Sequence, residues 1–218
     1  LNDAQWRQLD LPHDWSIEGK FDENAPSGTG GGALPGGIGW YRKMFTLGQS
    51  YAGKQTYILF DGVYMNSDVW INGHHLGNRP NGYISFSYNL TSYLNPIGKA
   101  NVITVRVNNL GVNSRWYSGS GIYRHVWLIP LNNVHTEIWG NSITTPDVSQ
   151  NAAQVKIEST IKNASSQNKS VNVRIDVLNP SGQVVASKTG SLNISAGGTR
   201  SLSQQLAGAK PSLWTLEK

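Results

Sequence analysis

The chain has 218 residues, enough for one large or two ordinary domains, and carries 38% hydrophobic but only 14% charged residues, with 24 glycines and 9 prolines. That mix suits an all-β protein rich in turns, and the strand-like apolar patterns with a net charge of +5 exclude a disordered chain. The absence of cysteine rules out disulfides and thiolate chemistry; no apolar run is long enough to span a membrane, and the 18 scattered Lys and Arg form no nucleic-acid patch.

Residues 1–20 contain no signal peptide, because Asn2, Asp3, Gln5 and Arg7 interrupt any apolar region, and the absence of a starting Met suggests a piece cut from a longer chain. A glycine-rich passage over residues 20–39 reads as loop. Trp40 to Leu47 is extended, and Tyr57 to Val63 is an apolar run ending at Asp61-Gly62. Val69 to Leu76 reads as a hairpin with Asn72-Gly73 at its tight turn. Ile84 and Phe86, then Ile103, Val105 and Val107, alternate with period two. Leu90 to Leu94 suits one helical turn, and Gly121 to Leu131 closes this part with a strand. The result is roughly eight strands in about 130 residues, which fits a jelly-roll β-sandwich over 1–131.

From Asn132 onward aromatic residues nearly vanish. Val155, Ile157 and Ile161 alternate with polar residues, as do Val171, Val173, Ile175 and Val177, and Asn179-Pro-Ser-Gly182 is a turn between strands. Leu192 and Ile194, then Leu202 and Leu206, continue the pattern, so residues 132–218 read as an immunoglobulin-like β-sandwich.

Six of the eight Trp and all nine Tyr lie before position 130. Trp70 and Trp127, inside apolar runs, are expected in the core. The stretch NSRWYSGSGIYR, residues 113–124, differs: its Ser-Gly-Ser-Gly centre is poor strand material, so Arg115, Trp116 and Tyr117 are expected at a loop or bulge. A guanidinium and a ring suit a pyranose, which offers hydroxyls at its edge and C–H groups on its face. For Arg115 this reading and that of a loop-organising residue stand level; for Arg124 the structural reading is preferred. The five histidines show no metal-ligand spacing, and His74-His75 is expected to be exposed beyond the hairpin turn. The thirteen acids are spread thinly, and glycoside hydrolysis needs two of them about 5–9.5 Å apart. Asp14, in Leu-Pro-His-Asp-Trp, is the most suggestive, although a turn or cap role is favoured for it. By itself the chain does not read as catalytic.

LPHDW (11–15), GWYRKMF (39–45), FDGVYMNSDVWINGHHLG (60–77), GYISFSYNLTSYL (82–94), NVITVRVNN (101–109) and SRWYSGSGIYRHVWL (114–128) occur in that order. The succession resembles the amino-terminal sugar-binding domain of glycoside hydrolase family 2, the β-galactosidase, β-glucuronidase and β-mannosidase group. PSLWTLEK (211–218) resembles that family's boundary between an immunoglobulin-like second domain and a (β/α)₈ catalytic barrel. The resemblance implies the non-catalytic start of a retaining β-glycosidase, most like a β-galactosidase, with both catalytic glutamates in the absent barrel. It further implies a carbohydrate substrate, that barrel as the partner, and no cofactor or metal. On the same grounds Arg115 takes the place of a sugar-contacting polar residue, with Trp116, Asn108, Asn109 and Asp14 as further candidates for the rim. A bacterial secreted or cell-surface origin is expected, with a cytoplasmic location as the alternative. The competing reading is an autonomous carbohydrate-binding or adhesion module.

Overall fold

The computed structural model describes residues 3–112, 119–209, 211–214 and 216. The chain divides into two compact units, Leu1–Pro130 and Leu131–Lys218, and both are all-β.

The first unit contains β1 (Gly37–Thr46), β2 (Gln55–Phe60), β3 (Ser67–Ile71), β4 (His74–Arg79), β5 (Phe86–Asn89), β6 (Ala100–Asn109) and β7 (Val126–Leu131). They form two sheets, ordered β1-β6-β3-β4 and β5-β2-β7. Seven strands stand where roughly eight were expected among these residues. Gly121 to His125 makes only an isolated bridge before β7 begins, and β5 starts at Phe86 and leaves Ile84 exposed.

Period two explains the layers. Ile103, Val105 and Val107 of β6 and Val69 and Ile71 of β3 point inward, against Ile58, Phe60 and Phe86 of the other sheet. The Phe60 and Phe86 rings stack at 4.9 Å, and both are fully buried. Asn72 (φ 49) and Gly73 (φ 85) supply the two positive φ angles of the tight hairpin turn between β3 and β4. The expected helical turn is a single 3₁₀ turn at Thr91–Tyr93.

Trp70 and Trp127 are not in the core. Trp70 has the opposite parity to Val69 and Ile71, so it lies on the outer face, stacked on Trp40 at 5.6 Å. Trp127 is 50% exposed and donates its indole N–H to Asp61 at 2.8 Å, while Val126 and Leu128 pack inward. An apolar run shows that a strand exists but not which parity faces the core.

The second unit contains β8 (Val134–Thr144), β9 (Ala152–Asn163), β10 (Lys169–Leu178), β11 (Val184–Ile194) and β12 (Thr199–Ala209). Its sheets run β12-β9-β8 and β10-β11. The turn at Asn179 forms as its residues predict: Asn179 Oδ1 accepts from the Ser181 and Gln183 amides, and Gly182 has φ 80.

Replacing Phe86 by Ala should lower the unfolding free energy of the first unit by about 3–5 kcal/mol in urea denaturation, through lost transfer energy and the cavity left behind. A loss below about 1 kcal/mol would show that the paired rings do not organise this core.

Candidate functional site

The antiparallel registers bring four chain segments to one end of the first sandwich. β1 begins there as β6 ends, with Gly37 opposite Asn109, and β3 begins there as β4 ends, with Ser67 opposite Arg79. The segments that follow β2, β4 and β6 therefore share this end with residues 33–36. Backbone bonds tie them together: Asn108 N to Met65 O at 3.0 Å, Asn66 N to Pro80 O at 3.2 Å, and a reciprocal pair between Tyr64 and Gly121 at 2.8 and 2.9 Å.

A buried polar clasp ties Asn109, at the end of β6, to Gly119 and Ser120. Ser120, fully buried, donates its amide to Asp14 Oδ1 at 2.8 Å, and its carbonyl accepts from Trp15 N at 2.9 Å. The Ser120 hydroxyl accepts from Asn109 Nδ2 at 2.7 Å and from Ser16 Oγ at 2.6 Å. Asn109 Nδ2 also donates to Gly119 O at 3.0 Å. Asn109 on one side of residues 110–118 and Gly119 and Ser120 on the other are thus joined. Asp14 additionally accepts from Ser16 N at 2.8 Å, the turn role its sequence context favours.

The segment from Gly119 to Gly121 fits only because it lacks side chains at two points. A Cβ on Gly119 would strike the Asp14 carboxylate, and one on Gly121 (φ 137) would strike the Tyr41 hydroxyl and the His13 carbonyl. Trp15 packs under Gly39 and donates its indole N–H to Gly36 O at 2.9 Å, so the start of β1 is joined to the same clasp. Next to it, His13 Nδ1 and the Tyr41 hydroxyl lie 2.7 Å apart. Burial pushes the Tyr41 phenol up to about 12, and burial, with a bond to Tyr83, does the same to Tyr64. Tyr83 meets Tyr64 edge to face at 5.3 Å and is 50% exposed, while Tyr123 donates to Gly82 O at 2.8 Å.

Three sequence-derived candidates, Asp14, Asn108 and Asn109, fall at this end. Asn109 is buried, and Asn108 is half-buried with its Oδ1 accepting from Leu110 N at 3.2 Å. Arg115 and Trp116 lie outside the described residues. His74 and His75 are exposed, as expected. Arg124 places its guanidinium 5.2 Å from the centre of the Tyr123 ring. Among the described residues no cluster of three His, Asp or Glu is placed to hold a metal, and no helix is long and apolar enough to cross a membrane.

The model for the glycosyl hydrolases family 2 sugar binding domain matches residues 33–132, and that for glycosyl hydrolases family 2 matches residues 136–218. The chain belongs to glycosyl hydrolase family 2. It is 50% identical over 216 residues to the beta-galactosidase BoGH2A of Bacteroides ovatus, an alignment covering 99% of this chain and 25% of that protein. The crystal structure of a family 2 member from Bacteroides cellulosilyticus is 38% identical with a TM-score of 0.92, covering 100% of this chain and 29% of that one. A Bacteroides uniformis beta-glucuronidase is 27% identical with a TM-score of 0.86, covering 99% and 26%. The chain thus spans about a quarter of the length of the relatives it matches.

Sequence reasoning missed two members of this clasp, Ser16 and Ser120. Both are short polar residues whose importance comes from contacts 104 positions apart, which no local pattern encodes. The nearest available signal was the Ser-Gly-Ser-Gly run, whose glycines mark close backbone approach.

Gly121→Ala should destabilise the first unit by more than about 2 kcal/mol in urea denaturation, since both a disfavoured φ and two contacts oppose it; an unchanged midpoint would contradict the clasp geometry. The raised Tyr41 and Tyr64 values predict a pH response. The fold favours the neutral phenol, so their contribution is whole below about pH 10 and is lost as pH rises from about 10 toward about 12. Denaturation from about pH 8 to about pH 11.5 should show that fall, and flat stability throughout would count against the buried phenols.

Proposed function

We propose that this chain is the non-catalytic amino-terminal portion of a retaining β-glycosidase acting on terminal β-linked sugars, with a β-galactoside as the substrate class. The observation that carries the reading is the match of nearly the whole chain, at 50% identity, to a quarter of a beta-galactosidase. On this reading the parent's (β/α)₈ barrel supplies both catalytic carboxylates, and the 110–118 loop completes the pocket for the terminal sugar. Arg115 offers fixed donors to hydroxyl groups, Trp116 offers a ring face, and Asn108 stands at the loop's base. Asn109 and Asp14 serve the same pocket by fixing the loop's two ends through Ser120. A glucuronide substrate is the second reading, supported by the likeness to the Bacteroides uniformis beta-glucuronidase. An autonomous carbohydrate-binding module is the reading from another class, supported by the first unit's own closed core.

Hydrolysis of chromogenic β-galactosides and β-glucuronides by the 218-residue chain and by its full-length parent separates these readings. Turnover of the galactoside by the parent alone is expected, with Arg115→Ala lowering the parent's kcat/KM about tenfold or more, the scale of a lost hydrogen-bonded contact in the transition state. Turnover by the short chain would overturn the proposal, and millimolar or tighter sugar binding by the short chain would favour the autonomous module.

A further inference from the structure

Another polar cluster adjoins the clasp, built on His13. The His13 amide donates to Ile122 O at 2.8 Å, beside the bond from Trp15 N to Ser120 O, and its side chain is only 11% exposed. Both ring nitrogens are engaged. Nδ1 lies 2.7 Å from the Tyr41 hydroxyl, and Nε2 lies 2.7 Å from Arg7 Nη2. The same Arg7 nitrogen donates to Glu18 Oε1 at 3.0 Å and to Oε2 at 2.8 Å. Glu18 Oε1 is in turn 3.4 Å from His13 Nε2.

These contacts define a protonation state. A guanidinium donates and never accepts, so the nitrogen it meets on His13 carries a lone pair. The ring is therefore neutral, with its proton on Nδ1 and donated to the Tyr41 oxygen. A second proton, on Nε2, would set two cationic donors against each other at 2.7 Å. The acceptor within reach of that new N–H is Glu18 Oε1. The other groups around the ring keep their charge over the range in which a histidine titrates. Burial pushes the Tyr41 phenol up to about 12, and the Arg7 hydrogen bond holds the Glu18 carboxyl below its usual range. Asp14 Oδ1 is occupied by the Ser16 and Ser120 amides.

Arg7 is also a mooring point. Residues 4–8 are exposed and lie in no strand or helix, and side chains tie their stretch of chain down: Asp3 pairs with Arg42 of β1, and Arg7 reaches Glu18 and His13. We propose that His13 is a proton-operated latch for the segment from Asp3 to Asp10, holding Arg7 when neutral and turning to Glu18 when protonated. The exchange takes up one proton at Nε2, breaks the bond from Arg7 to His13 and forms one from His13 to Glu18. The segment is then held by fewer bonds, and the change happens on the residues that bond Ser120 and Ile122. A histidine switch of this kind works between about pH 5 and about pH 8.

The test uses NMR on the 218-residue chain and no activity readout, so its outcome is independent of the glycosidase reading. At about pH 8 the His13 ring should carry its proton on Nδ1, and backbone order parameters over residues 4–8 should be near the rigid value of about 0.85. At about pH 5 the ring should be doubly protonated and those order parameters should fall toward about 0.6. His13→Gln places an amide that cannot take up a proton where the ring stood, and it should remove the difference between the two pH values. If that variant does not fold, Arg7→Ala, on the exposed segment, should give low order parameters at both. A proton on Nε2 at about pH 8, equal order parameters in the unsubstituted chain at both pH values, or a pH response that survives His13→Gln or Arg7→Ala would overturn the proposal.

Discussion

The candidate site depends on one buried serine. Ser120 has no exposure to water, and its amide, carbonyl and hydroxyl each bond a different part of the chain: Asp14, Trp15, and the pair Asn109 and Ser16. Each bond contributes only about 1 kcal/mol net, but an orphaned buried partner costs about 1–3 kcal/mol, so the members stand or fall together. The consequence is geometric. Residues 13–16, the end of β6 and the segment from Gly119 to Gly121 cannot shift independently.

The sheets were legible from the sequence because period-two alternation reports local geometry. Val171 to Val177 and Ile103 to Val107 became strands, and Asn72-Gly73 became a tight turn, since positive φ suits those residue types. Facing was less legible. Trp70 and Trp127 sit in apolar runs but on the outer parity, where the indoles stack or bond at the surface. The clasp was legible only in its location. LPHDW and the Ser-Gly-Ser-Gly run stood out by composition, yet their pairing joins positions about a hundred residues apart, and long-range pairing leaves no periodic trace. Asp14 illustrates this: its turn bond to Ser16 N is local, whereas its bond to Ser120 N belongs to the tertiary fold.

The two units differ in how they close. The first buries paired phenylalanines and a continuous aliphatic cluster between four and three strands. The second has three strands facing two, and its alternating side chains on β10 are only half-buried along the strand. On the proposed β-glycosidase reading, the choice among galactose, glucuronic acid and other sugars rests chiefly with the parent's barrel.

The most direct measurement is a crystal structure of the full-length parent with a non-hydrolysable β-galactoside bound. The account predicts the Ser120 clasp intact and at least one side chain from residues 108–118, Arg115 first, within hydrogen-bond distance of the terminal sugar. A terminal sugar enclosed by the barrel alone, with the whole of that loop out of reach, would contradict it.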